Sequence, residues 1–306
     1  MVLASTPTKP MELDGLVQPD VELAEFTSFR VGGPAQWYAA PRSRADLDRV
    51  LAWGRERELP LVALGAGSNL LVGDRGVPGL VIATRHLRGV SFDDANGRLT
   101  AAAGAPIATV GWKAAKRGWR GLEWSVGVPG LVGGSVVMNA GAHRACLADS
   151  LVSVQVLDTV TGEVATVSNS ELAFAYRTSN LQGRRDRIVL EATFALQPGA
   201  TRELVMAESR HNLNYRKTTQ PYHLPSCGSV FRNPDSHAAG WLIEQTGLKG
   251  YRVGGAQVAE RHANFILNCG DAKASDISEL INCVRDRVED RWSIRLQPEV
   301  KLLGEF

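Results

Sequence analysis

Val126-Gly-Val-Pro-Gly-Leu-Val-Gly-Gly-Ser135, continuing as Val136-Val-Met-Asn-Ala-Gly141, is the stretch that decides the fold. Its backbone carries few side-chain atoms, so it can lie flat against a large planar ligand that side chains would hold away. A mobile surface loop of this composition would leave Val128, Leu131, Val132, Val136, Val137 and Met138 in water, which argues for a packed segment. His143, just beyond, reads as an ordinary surface residue and not as a covalent attachment point.

Upstream lies a second glycine loop, Gly65-Ala-Gly-Ser-Asn-Leu70, directly after the short apolar run Leu61–Leu64. It lacks the Gly-Lys-Ser/Thr of a phosphate-binding P-loop. It also lacks the third glycine of the dinucleotide fingerprint, and Leu70 to Gly73 reads as strand, not as the start of a helix. Two readings stay open: a plain interstrand turn, or a nest of backbone N–H groups with Ser68 and Asn69 that holds a pyrophosphate.

Helices and strands alternate around these loops. Ser43 reads as the cap of a helix with Leu47, Val50 and Leu51 on one face, and Pro106 opens another using Ile107, Val110 and Ala114. Leu151 to Asp158 and Glu163 to Val167 flank Thr161-Gly162 as a hairpin, and Arg187 to Leu196 is a strand. Thr201 caps a helix expected to reach about Asn214. A helix from about His237 to Thr246 and a strand from Asn264 to Asn268 follow. Ser275 caps a helix carrying Ile277, Leu280, Ile281, Val284 and Val288, and the chain ends on a strand, Ile294 to Leu303, interrupted at Pro298. The expected organisation is a loose lead-in over 1–20, a module over 21–200 divided near 84, and a C-terminal domain over 201–306.

The chain has 306 residues, 44% hydrophobic and 22% charged, with a formal charge of +2. That composition belongs to a globular protein of two or three modules. A near-neutral balance calls for neither nucleic acid nor an anionic membrane as partner. Cys146, Cys227, Cys269 and Cys283 form no CxxC pair, so neither a metal site nor a disulfide framework is expected, and free thiols fit a reducing cytoplasm. Met1 to Asp20 does not read as a signal peptide, and no segment approaches the roughly 20 apolar residues of a membrane helix.

Pro225-Ser-Cys-Gly-Ser-Val-Phe-Arg-Asn-Pro234 gathers hydroxyl, thiol, guanidinium and carboxamide groups within ten residues. It is either a turn into a strand or part of a reaction site, with Gly228 allowing close approach beside Ser229. Cys227 reads as a packing residue, since only His223 lies near it in sequence.

Taken in order, Thr27-Ser-Phe-Arg-Val-Gly-Gly33, Gly65 to Leu70, Val128 to Ser135, Tyr176-Arg-Thr-Ser179, the 225–234 decapeptide and Leu296-Gln-Pro-Glu-Val300 closely resemble the UDP-N-acetylenolpyruvoylglucosamine reductase family. The resemblance runs from about Glu25 to Gly304. The glycine loops are shared with other flavin enzymes, whereas the segments around Arg177, Ser229 and Glu299 are particular to the reductases. It implies an α+β fold: a two-subdomain FAD-binding module of the vanillyl-alcohol-oxidase/PCMH type plus a C-terminal α/β substrate-binding domain. It further implies non-covalent FAD, NADPH as co-substrate and a UDP-sugar as substrate; apart from the resemblance, a monomer in the cytoplasm is expected. FAD would be held by Gly65, Ala66, Gly67, Ser68, Asn69 and Leu70, and by Gly127, Pro129, Gly133, Gly134, Ser135, Asn139 and Gly141.

By the same resemblance, hydride from flavin N5 adds to the enolpyruvyl terminal carbon. Arg177 and Glu299 then stabilise the enolate-like intermediate and Ser229 protonates it. Glu299 would have to be protonated to donate a hydrogen bond, which calls for an apolar setting that Leu296, Val300 and Leu302 could supply. Tyr176, Arg216 and Asn233 are the expected substrate contacts, with Lys217, Gln220 and Arg232 as further donors nearby. The spacings from Arg177 to Ser229 and from Ser229 to Glu299 are too short for the family's tyrosine-bearing insertion, so this chain resembles the shorter type. An FAD oxidase on the same scaffold, or a flavin-binding protein without turnover, would need the glycine loops but not the Arg177, Ser229 and Glu299 set.

Overall fold

Four strands build the first layer of the protein, whose computed structural model describes residues 15–306. They are β1 (Val17–Glu22), β2 (Pro34–Ala39), β3 (Leu61–Leu64) and β5 (Val77–Ala83), in the order β1-β2-β5-β3, with β4 (Leu70–Val72) set apart. β2, β5 and β3 run parallel and β1 antiparallel. β5 is almost continuously apolar because both its faces are covered. Leu80 and Ile82 pack on Leu47, Val50 and Leu51 of α1 (Arg44–Glu56), while Val77, Val81 and Ala83 pack on Leu23 and Tyr38. The α1 cap is the expected Ser43, whose Oγ accepts from Asp46 N at 3.1 Å while the Asp46 carboxylate accepts from Ser43 N at 3.1 Å. The lead-in expected over 1–20 is shorter than that, since β1 is already paired with β2 from Val17; its first fourteen residues lie outside the described residues.

The second layer is an antiparallel sheet. β6 (Val90–Asp93) and β7 (Arg98–Ala102) precede α2 (Ile107–Lys116), α3 (Val132–Val137) and the two-residue pair β8 (Gly141–Ala142) and β9 (Ala145–Cys146). β10 (Leu151–Asp158), β11 (Val164–Ser168) and β12 (Arg187–Ala195) complete the sheet in the order β11-β10-β12-β7-β6. Val154, Ala192 and Phe194 pack under Ile107 and Val110 of α2 and Val132 and Val136 of α3. Leu157 and Ile188 reach across to Leu80 and Ile82, so the two sheets share a seam.

Helix α4 (Arg202–Thr219) runs five residues beyond the expected end. Thr201 occupies its N-cap position, but the Thr201 side chain makes no capping bond. Although counted with the C-terminal domain by sequence, α4 packs on α2 and on the 3-10 turn Glu123–Gly127, where Asn212 Nδ2 donates to Glu123 O at 3.1 Å.

The C-terminal part comprises α5 (Ala239–Gln245), the small sheet β13 (Arg252–Val253), β14 (Ala256–Val258) and β15 (Ile266–Asn268), α6 (Ala274–Trp292), and β16 (Lys301–Leu303). α6 buries the expected face of Ile277, Leu280, Ile281, Val284 and Val288. Its cap is not Ser275, which lies inside the helix. The Asp74 carboxylate, from the first layer, instead accepts from Ala274 N at 2.7 Å and Ser275 N at 2.9 Å. The expected final strand is also shorter. Only Lys301–Leu303 is strand, and it lies parallel to β4, tying the C-terminal end to the glycine loop before β4.

Candidate active site

One cavity of about 760 Å³ opens between the two sheets and the C-terminal part. Gly65, Ala66, Gly67, Ser68, Asn69 and Leu70 line one side; Pro129, Gly133, Gly134, Ser135 and Gly141 line another. A Cβ added to Gly65 or Gly134 would meet no protein atom within 4 Å, so these two glycines leave room in the cavity itself. That is the fit a flat cofactor needs. Gly67 is different: its φ of +62° and the closeness of Phe26 O demand glycine for the turn.

Two expected cofactor residues do not line the cavity. Gly127 lies under α4, where a Cβ would meet Arg216 Cδ at 2.7 Å, so its smallness lets that arginine pass. Asn139 is buried and structural: its Nδ2 donates to Ala175 O at 3.0 Å and its Oδ1 accepts from Ala148 N at 3.1 Å.

Arg177, Ser229 and Glu299, far apart in sequence, all line the cavity, as do Tyr176, Arg216 and Asn233. Arg177 sits at the tip of a tight turn closed by Ala175 N to Thr178 O at 3.1 Å and Thr178 N to Ala175 O at 3.2 Å. Its φ is +58°, a left-handed conformation that costs a non-glycine residue about 1–2 kcal/mol. Such strain concentrates at functional positions. From there Arg177 Nε reaches Glu299 Oε1 at 3.1 Å, with the two side chains 22% and 16% exposed, and Arg177 Nη2 donates to Gly141 O at 2.7 Å.

Ser229 and Glu299 are joined by backbone. Glu299 N donates to Val230 O at 2.7 Å and Arg232 N to Gln297 O at 2.9 Å. The buried Asn264 side chain clasps the same segment, accepting from Phe231 N at 2.9 Å and donating to Phe231 O at 2.8 Å. Asn69 Nδ2 donates to Glu299 O at 3.1 Å, linking the glycine loop to the glutamate. Asn233 Oδ1 accepts from Ala239 N at 3.0 Å, at the start of α5.

Burial pushes the Glu299 carboxyl up from its usual range, against the lowering pull of Arg177, Arg232 and Lys301. Leu296 and Val300 beside it are buried, but Leu302 is 59% exposed and gives no apolar cover. Burial, and then the charge of Glu299, hold the Cys227 thiol well above its usual value, so Cys227 is a poor nucleophile, as expected. His143 stands apart from the cavity, edge-on to Tyr215.

Several lining residues escaped the sequence reading. Arg184, Arg185 and Arg187 form one wall, and the cue was the basic run just before β12. Lys301 lies two residues beyond Glu299, at the start of β16, and lines the cavity with it; the period of two offered the cue. Asn264, expected at the start of a strand and at the substrate face with no contact assigned, lines the cavity and clamps Phe231 across 33 residues of sequence.

Residues 220–303 match the family model "UDP-N-acetylenolpyruvoylglucosamine reductase, C-terminal domain", and residues 35–168 match "FAD binding domain". A UDP-N-acetylenolpyruvoylglucosamine reductase of Synechocystis sp. is 57% identical over 292 residues, covering 95% of this chain and 92% of the relative. The chain belongs to the UDP-N-acetylenolpyruvoylglucosamine reductase family. A reductase of Nostoc sp. is 58% identical over 284 residues, 93% of this chain and 85% of the relative. The crystal structure of the Thermus caldophilus reductase superposes with a TM-score of 0.80 at 35% identity, covering 94% of this chain and 99% of that one. The fold is therefore the reductase fold, an FAD-binding module followed by the family's C-terminal domain. The C-terminal match begins at residue 220, the residue after α4 ends.

Proposed function

We propose that Arg177, Glu299 and Ser229 carry out the substrate half of the family's reaction in this chain. That reaction is the NADPH-dependent reduction of UDP-N-acetylglucosamine enolpyruvate to UDP-N-acetylmuramate, in peptidoglycan precursor synthesis, and the chain is an FAD flavoprotein oxidoreductase. The observation that carries the residue assignment is the convergence of the three on one cavity whose glycine walls fit a flat cofactor.

FAD would be held by the 65–70 loop and by Pro129, Gly133, Gly134, Ser135 and Gly141, and when bound and reduced by NADPH it would supply the hydride equivalent for the terminal enolpyruvyl carbon. Negative charge then builds on the substrate carboxylate. The Arg177 guanidinium, permanently charged and held by Gly141 O and the Glu299 carboxyl, takes that charge with its remaining N–H groups. Glu299, held toward its protonated form by burial, donates a second hydrogen bond. Ser229, pinned through its neighbours to the Glu299 segment, delivers the proton to the carbon bearing the ether oxygen, directly or from water. Arg216, Tyr176 and Asn233 surround the remaining cavity, and an arginine there suits a diphosphate. We assign the enzyme to the cytoplasm on its free thiols and expect it to act as a monomer; among the described residues no helix is long and apolar enough to cross a membrane.

The test is NADPH oxidation by the purified yellow protein with and without the enolpyruvyl UDP-sugar. Oxidation that depends on that sugar is expected. Oxygen consumption with an alcohol in its place would overturn the reading in favour of an oxidase.

A further inference from the structure

We propose that Arg232 is a positioning residue that holds Arg177 in its working conformation and joins the three reacting segments into one unit. This inference rests on the assignment of Arg177, Ser229 and Glu299 above.

By sequence Arg232 is a donor offered to the ligand, yet it is absent from the cavity wall. Its Nη2 donates instead to the backbone oxygen of Arg177 at 2.9 Å, with Gln182 Nε2 a second, longer donor to the same atom at 3.3 Å. The turn at Tyr176-Arg177 has a residue with a Cβ in the left-handed region, where the peptide plane relaxes unless something holds it. A guanidinium bonded to the carbonyl of that same residue is such a hold, and its charge makes the bond a strong one. The backbone of Arg232 is fixed in turn, through its N–H to Gln297 O at 2.9 Å and through the Asn264 clasp on Phe231. One side chain therefore connects the turn of Arg177 to the decapeptide of Ser229 and, through it, to the segment of Glu299. Arg232 also adds a positive charge to the surroundings of Glu299, which faces Arg177 at 3.1 Å, Lys301 two residues further along and the Cys227 thiol.

The variants Arg232→Met and Arg232→Lys, both loaded with FAD, test this by stopped flow on the two half-reactions. In Arg232→Met, flavin reduction by NADPH is expected within about two-fold of the parent. Reoxidation by the enolpyruvyl UDP-sugar is expected to fall about 10- to 100-fold, the scale of an ångström-level misplacement of a reacting group. Arg232→Lys restores part of that loss, because an ammonium reaches the carbonyl without the fork. The pH profile supplies a readout that loss of packing alone would not move. Removing a cation near Glu299 shifts the alkaline limb of reoxidation to higher pH in Arg232→Met and leaves it in place in Arg232→Lys. Reoxidation within two-fold of the parent in a Met variant with parental flavin spectrum and melting temperature would overturn the proposal, as would equal loss in both half-reactions. If Arg232→Met does not fold, Arg232→Lys and Gln182→Ala decide: unchanged reoxidation in both overturns it, and a loss confined to reoxidation in either supports it. A parent enzyme that the enolpyruvyl UDP-sugar fails to reoxidise would instead sink the functional reading, a result distinct from all of these.

Discussion

Glu299 stands between two opposing influences. Burial favours its protonated form, while Arg177 at 3.1 Å, Arg232 and Lys301 favour its charge. A substrate carboxylate that draws Arg177 away removes the nearest compensating cation and adds a negative charge, so both changes move the Glu299 pKa further up. Substrate binding is thus expected to take up protons, seen by calorimetry in buffers of different ionisation enthalpy; proton release would contradict this. With Glu299 as the proposed hydrogen-bond donor, substrate reduction is expected to fall as pH rises through its raised pKa. Glu299→Gln, which keeps a donor, loses that alkaline limb. Glu299→Ala loses the donor and about 10²–10³-fold in rate. Glycines separate in the same way. Gly134→Leu meets open cavity with its Cβ, so the protein is expected to fold and yet to lose FAD, read as flavin absorbance relative to protein absorbance. Retention of full flavin would count against the cradle. At this scale the sequence singled out Arg177, Ser229 and Glu299, which line one cavity, but not why Gly127 is a glycine or what Asn139 bonds, since both answers lie on other elements.

Elements were legible where their signals were local. Ser43 and Asp46 cap α1 from within three residues, and the buried face of α6 follows from its own apolar spacing. The cap of α6 was legible only in part: Asp276 accepts from Lys273 N within the first turn, but Asp74 completes it from 200 residues away. Likewise α4 belongs with α2 through packing that no local pattern announces. Asp74→Ala is expected to cost about 1–2 kcal/mol, measured by chemical denaturation with the far-UV signal as probe. Burial alone would raise the Asp74 carboxyl, but its bonds from Ser275 and Ala274 prevail and hold it below the usual value. The sign follows: this contribution is present above the unfolded carboxylate pKa and is lost as pH falls through the lower folded value. Equal stability of parent and variant at neutral pH would refute it.

Across the whole molecule, the proposed site exists only where three parts meet. The glycine loop before β4 comes from the first layer, Arg177 from the second and Ser229 with Glu299 from the C-terminal part. β16 on β4, Asn69 on the Glu299 carbonyl, and Arg232 on the Arg177 carbonyl are the joints. None of these is visible as a motif; each is a register or a side-chain reach that folding creates. The most direct test of the site they assemble is single-turnover reaction of the Ser229→Ala holoenzyme, following NADPH reduction and substrate reoxidation of the flavin separately. Reduction by NADPH is expected to stay within about two-fold of the parent while substrate reduction slows by about 10²–10⁴-fold, the range for loss of a proton donor. Equal slowing of both half-reactions, or none in either, would contradict Ser229 as the donor.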